Sequence, residues 1–182
     1  MKRSMLVAAA VSAMAMPAAA QSGLAIKGHL LFNETNAREA EENRRVPAEN
    51  GFSVGAEYVL PIGLGVGVSA YTEGKASTDE LETRRFGVLA EANYFFSIPV
   101  IPIRPYVGLH AGLGQYTYED VGNQRPEIKD SRTELGYQAG LRWQVTPMIG
   151  VDAHYRHVSD SASDEQSPEL ERNQVLVGIT LF

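Results

Sequence analysis

The chain contains no cysteine. That excludes a disulfide-stapled scaffold, thiolate metal sites and a cysteine nucleophile. Tryptophan occurs once and histidine four times, so imidazole chemistry has few places to arise. Beyond residue 20 no apolar run reaches the roughly 18–20 residues that a membrane-spanning helix needs. Nor is there a block of lysine and arginine; with a formal net charge of −6, the chain carries no nucleic-acid footprint. Gly63-Leu64-Gly65-Val66-Gly67 is not a phosphate loop, because no helix follows it. Nothing implies a cofactor.

The first twenty residues read as an address. Lys2 and Arg3 form a basic start, Met5–Met16 is apolar, and Ala18-Ala19-Ala20 is a small-residue cleavage site. A signal peptide over 1–20, cleaved before Gln21, is expected, with one domain over 21–182.

In that domain the dominant signal is alternation. Apolar residues recur at every second position, the mark of strands with two unlike faces. Eight segments show it: Leu24–Phe32, Phe52–Leu60, Leu64–Thr72, Arg85–Phe96, Tyr106–Tyr118, Thr133–Val145, Ile149–Val158 and Asn173–Phe182. Polar stretches at Asn33–Asn50, Gly74–Thr83, Glu119–Ser131 and Ser159–Arg172 alternate with short connections at Pro61-Ile62-Gly63, Ser97–Arg104 and Thr146-Pro147-Met148. Within Asn33–Asn50, the run Ala37–Arg45 is compatible with a helical turn.

Long connections at one end and short ones at the other suit a transmembrane barrel with short periplasmic turns and longer external loops. The faces agree. One is broad and apolar; the other carries Lys27, His29, Glu57, Glu91, His110, Glu134, Arg142, Asp152, His154 and Arg156. Arg or Lys facing lipid at the midplane costs roughly 2–4 kcal/mol, so these ten residues are expected to form a polar network inside a closed barrel. Eight strands enclose room for side chains but no wide channel, so a plugged interior is expected. Phe32, Phe52, Phe86, Tyr116, Tyr118 and Tyr155 near the loop ends, and Tyr58, Tyr94, Phe96, Tyr106, Trp143 and Phe182 near the turn ends, are expected to form aromatic girdles. The fold class is all-β: an eight-stranded antiparallel up-and-down transmembrane β-barrel.

The run Ile103–Gly114 (IRPYVGLHAGLG), the segment Val151–His157 (VDAHYRH) and the terminal Val177–Phe182 (VGITLF) resemble the small outer-membrane barrels of the OmpX/opacity-protein class. Thr180 departs from the commoner Tyr-x-Phe ending. The resemblance implies a place in the outer membrane of a Gram-negative bacterium, contact with outer-membrane lipids including lipopolysaccharide, insertion by the barrel-assembly machinery and a monomeric state. It also implies a structural or surface-recognition role through the loops, with an external ligand or host surface as partner. A narrow small-solute channel is an alternative.

A second alternative is enzymatic. His157 and Ser159 share a face, outward by parity, and Glu171 opens the next strand on the same parity. Ser–His–carboxylate is the arrangement for nucleophilic acyl transfer, with Ser159 attacking, His157 as base and Glu171 orienting it. The spacing resembles the PagL-type lipid A deacylases. That family has Asn after its serine; here Asp160 follows, and a carboxylate beside the oxyanion would oppose it. His29, His110 and His154 are inward by parity, compatible with a metal site but expected to join the hydrogen-bonded network. Asp120, Asp130, Asp160 and Asp164 lack the spacing of a calcium loop.

Overall fold

The computed structural model describes residues 22–33, 38–39, 50–77, 81–120, 128–162 and 170–182. The expected signal peptide lies outside them, as do most of Asn33–Asn50 and parts of the other three polar stretches. The strands are β1 (Gly23–Asn33), β2 (Arg38–Glu39), β3 (Gly51–Val59), β4 (Leu64–Ser77), β5 (Leu81–Phe95), β6 (Ile103–Asp120), β7 (Ile128–Gln144), β8 (Ile149–Ala162) and β9 (Leu170–Leu181). All pairings are antiparallel and run in sequence order from β3 to β9, with β1 beside β3. β1 also pairs with β9, from Ile26↔Leu181 to Asn33↔Gln174. The sheet is therefore a closed eight-stranded barrel, which satisfies backbone hydrogen bonds without an open edge. β2 is a two-residue appendage on the outer end of β9, Arg38 opposite Glu171; Arg38 and Glu39 are extended, and the rest of the expected helical turn over Ala37–Arg45 lies outside the described residues.

The short connections have defined chemistry. Between β3 and β4, Gly63 takes φ +87° and its N–H donates to the Leu60 carbonyl. Between β7 and β8, the Thr146 hydroxyl accepts the Ile149 N–H at 3.0 Å. Between β5 and β6, Ile101 N–H donates to the Ile98 carbonyl at 3.3 Å around Pro99-Val100, and Val100 holds φ +73°. A β-branched residue is a steric outlier there.

At the other end the strands outrun the alternating segments. β6 spans 18 residues and β7 spans 17, against the roughly 9–11 that cross a bilayer. β5, β6 and β7 record the crossing in their outward residues. On β6, Val107, Leu109, Ala111 and Leu113 give way to Gln115; on β5, Phe86 gives way to Arg84; on β7, Leu135 gives way to Thr133 and Ser131. Below that line the outer surface is a continuous apolar band that includes Leu30, Val68, Val88, Leu109, Leu141 and Val177. A soluble monomer rarely exposes more than a few hundred Å² of contiguous apolar surface; lipid is the solvent this band fits. Among the described residues no helix is long and apolar enough to cross a membrane; the strands do the crossing.

Two expected girdle residues are placed otherwise. Tyr106 and Tyr116 are buried inside the barrel. They share the parity of Gly108 and His110, and their hydroxyls donate to interior carboxylates, Asp152 and Asp160. A tyrosine with an apolar ring and one donor suits a charged, packed lumen as well as a membrane interface.

Candidate functional site

The lumen is stratified. At the turn end Val59, Phe95 and Tyr106 pack together, with the Arg104 guanidinium 5.2 Å above the Phe95 ring. Above them lies a polar layer. Lys27 Nζ donates to Glu91 at 2.7 Å, Arg142 donates to Glu57 at 2.7 Å and to Asp152 at 2.9 Å, and Arg156 donates to Glu91 at 3.2 Å. Asn93 donates to Glu57 and Gln138 to Asn93, each at 2.7 Å. Three cations (Lys27, Arg142, Arg156) meet three carboxylates (Glu57, Glu91, Asp152), so this layer is formally neutral. Leu31, Leu89, Leu176 and Tyr71 then pack together as a buried cluster.

A second polar layer follows on the loop side. Arg172 bridges Glu73 at 2.9 Å and Asp160 at 3.0 Å, and Arg85 bridges Glu73 at 3.4 Å, Asp160 at 3.2 Å and Glu134. Tyr71 also donates to Glu134, and Gln174 to Glu73. Arg85 sits between the Tyr71 and Tyr116 rings, 5.2 and 4.7 Å from their centroids, so its apolar faces are covered while its edges bond carboxylates. All ten residues expected in the lumen are buried there. The sequence reading omitted Glu73, Arg85, Arg132 and Asp160, which are buried too. Glycine makes the room. A Cβ at Gly87 would press into the Tyr71 ring, and one at Gly114 would press into a Glu134 oxygen.

The outward cluster differs from expectation in detail. Ser159 faces Glu171 directly across β8 and β9, and His157 faces Asn173. His157 Nδ1 lies 2.9 Å from the Asn173 side-chain oxygen, and Tyr155 donates to that same oxygen at 2.6 Å. The Tyr137 ring stacks on His157, centroids 4.9 Å apart. The residue holding His157 is thus Asn173, not Glu171, because strand register sets the partner across the hairpin. Among the described residues, Ser159 makes no hydrogen bond to His157 or Glu171. Asp160 points into the lumen, fully buried, bound by Arg85 and Arg172. Its carboxylate is on the opposite face of the sheet from Ser159, so the expected opposition to an oxyanion there does not arise. The cluster occupies the line where the outer surface of β8 and β9 turns polar, above Tyr155 and Val175.

His29 and His154 meet in the lower polar layer, rings edge to face at 5.0 Å. His110 stands apart from them, facing Gly136 across β6 and β7.

A closed antiparallel barrel with an apolar exterior, tight turns at one end and a charge-filled lumen defines an integral outer-membrane β-barrel protein. Residues 4–181 match the outer membrane protein beta-barrel domain family, and the chain belongs to that family, which places it in the bacterial outer membrane. Solved structures share the architecture. Neisserial surface protein A is 18% identical, with TM-score 0.70 over 88% of this chain and 97% of its own. The attachment invasion locus protein Ail of Yersinia pestis is 18% identical, with TM-score 0.56 over 88% of this chain and 99% of its own. OprG of Pseudomonas aeruginosa is 10% identical, with TM-score 0.56 over 88% of this chain and 95% of its own. At such identities the likeness is one of fold. No curated protein matches the chain.

Proposed function

We propose that the protein is a surface-recognition barrel: a sealed transmembrane pedestal that presents the external ends of its strands and the four polar stretches to an extracellular ligand or host surface. The observation that carries this reading is one-sided. β4 to β8 run past the apolar band only at the loop end, where outward positions become Arg84, Gln115, Ser131, Thr133 and Ser161, while the other end is cut to tight turns. Leu31, Leu89, Leu176 and Tyr71, packed together inside the barrel, support a plugged interior over the channel reading. The experiment compares cells displaying the full chain with cells displaying a version whose four polar stretches are shortened to tight turns. Binding to extracellular-matrix proteins and to glycans is measured, with heat-modifiable gel migration reporting barrel integrity. Loss of binding with folding retained is expected; equal binding by the shortened barrel would end this reading.

A second reading, acyl transfer on an outer-leaflet lipid, is favoured by one observation. Asn173 fixes the His157 ring through Nδ1, leaving Nε2 as the nitrogen able to act as a base beside Ser159, on the lipid-facing side at headgroup level. An amide can orient such a histidine, as in Cys-His-Asn hydrolases. Mass spectrometry of lipid A from cells with and without the protein tests it. The reading requires loss of one acyl chain, abolished by Ser159→Ala; unchanged lipid A under full expression removes it.

A further inference from the structure

The lower polar layer contains a donor set that neither reading uses. His29 on β1 and Asp152 and His154 on β8 are buried, and they offer one ligand atom each, all within 4.8 Å of one another. His29 Nε2 lies 3.3 Å from Asp152 Oδ1, and His154 Nδ1 lies 3.0 Å from the same oxygen. Tetrahedral zinc with bonds of about 2.0–2.1 Å has edges between ligand atoms of roughly 3.3–3.4 Å. Two edges of the triangle are therefore near the size an ion needs.

Hydrogen bonding alone accounts poorly for the arrangement. Asp152 Oδ1 already accepts the Tyr106 hydroxyl at 2.9 Å and is approached by both imidazoles as well. His29 Nε2 is buried and aimed at the carboxylate without making a hydrogen bond to it. Two of the three ligands have outer contacts, while among the described residues His154 Nε2, its non-coordinating nitrogen, has no hydrogen-bond partner. Ser53 Oγ stands 3.5 Å from His29 Nδ1, the nitrogen that would not coordinate, and Arg142 Nε donates to Asp152 Oδ2 at 2.9 Å. Such outer contacts orient ligands and fix tautomers. Two imidazoles and one carboxylate, with no thiolate in the chain, suit a borderline first-row divalent ion rather than calcium or magnesium.

We infer that His29, Asp152 and His154 form a divalent transition-metal site inside the barrel, tying β1 to β8 across the closing strand β9. The formal neutrality of the layer and the Arg142 guanidinium on Asp152 both weaken its hold on a dication. Its affinity is accordingly set below that of a dedicated structural zinc site, and magnesium is not bound.

The test uses the untagged full barrel refolded in detergent, stripped with chelator and titrated with Zn²⁺, then Co²⁺, then Mg²⁺. The expected result is one Zn²⁺ per chain by calorimetry and elemental analysis, with intense visible absorption of tetrahedral type for Co²⁺ and no heat from Mg²⁺. His29→Gln and His154→Gln should each weaken Zn²⁺ binding at least tenfold, whereas His157→Gln on the outer surface leaves it unchanged. Absence of Zn²⁺ binding by the wild-type barrel, an octahedral Co²⁺ spectrum, or binding that survives both lumen variants would each overturn the proposal. The Co²⁺ spectrum of the wild-type protein decides the matter even where a variant fails to fold.

Discussion

Glu91→Gln is a direct trial of whether the lumen is held by its charges. The carboxylate of Glu91 accepts Lys27 Nζ at 2.7 Å, Ser69 Oγ at 2.5 Å and an Arg156 nitrogen at 3.2 Å. At those separations each charge pair carries roughly 5–6 kcal/mol of gross attraction for an effective dielectric constant of about 20. Most of that offsets desolvation. Removing one partner is different, since it leaves a buried charge uncompensated and costs about 3–5 kcal/mol. With Glu91 neutral, among the described residues Lys27 retains Glu57 at 3.8 Å as its remaining ion-pair partner, and Arg156 retains the Gln138 amide oxygen at 3.2 Å. A loss of about 3 kcal/mol or more is therefore expected for Glu91→Gln, although the side chain keeps its shape and its hydrogen-bonding capacity. Pairing it with Lys27→Met, which removes one stranded cation, should recover part of the loss as a coupling of about 1–2 kcal/mol. The assay is urea unfolding from lipid vesicles. It follows the emission of Trp143, the single tryptophan, which faces outward from β7. A Glu91→Gln barrel within 1 kcal/mol of wild type, or additive single and double variants, would refute the reasoning.

Three further outcomes follow from particular atoms. Val100→Gly removes a β-branched side chain from φ +73° at a position 92% exposed, so relief of strain outweighs the added freedom of the unfolded chain. A gain of about 0.5–1 kcal/mol in the same unfolding assay is expected. Gly87→Ala drives a methyl group into the Tyr71 ring and should cost about 1–3 kcal/mol as an overpacked site, with a lowered midpoint of heat-modifiable migration; an unchanged midpoint would mean the ring has room to move. Raising ionic strength from about 0.1 to 1 M, which shortens the screening length from about 10 to 3 Å, should change stability little, because the lumen pairs are out of reach of salt; a steep loss would mean the lumen is wet.

The architecture was legible because period two repeats in every strand, and one charged face against one apolar face admits only a closed barrel in lipid. Legibility failed where the pattern thins. Arg85, Glu73 and Asp160 sit where strands run on into polar sequence, and with polar residues on both faces the alternation no longer tells inward from outward. Tyr106 and Tyr116 were assigned to the girdles by residue type, although their even-numbered parity on β6 placed them with His110. The partner of His157 depended on the register of β8 against β9. No hydrophobic pattern fixes that across a long polar connection, and a shift of two residues exchanges Glu171 for Asn173.

The pairing in the lumen also bears on how such a barrel enters a membrane. Several of its contacts join residues far apart in the chain: Lys27 with Glu91, 64 positions away, Arg172 with Glu73, 99 away, and Gln174 with Asn33, 141 away. A partial sheet can form the pairs between neighbouring strands, such as Arg142 with Asp152 and Arg85 with Glu73, but Lys27 with Glu91, Arg142 with Glu57 and Arg172 with Glu73 join strands that face each other only across the closed lumen. Until then the cross-lumen groups lack their full set of partners, and leaving them bare in lipid is costly. Closing the ring therefore completes the pairing of the cross-lumen charges, and a barrel with one strand out of register leaves some of them without their partners.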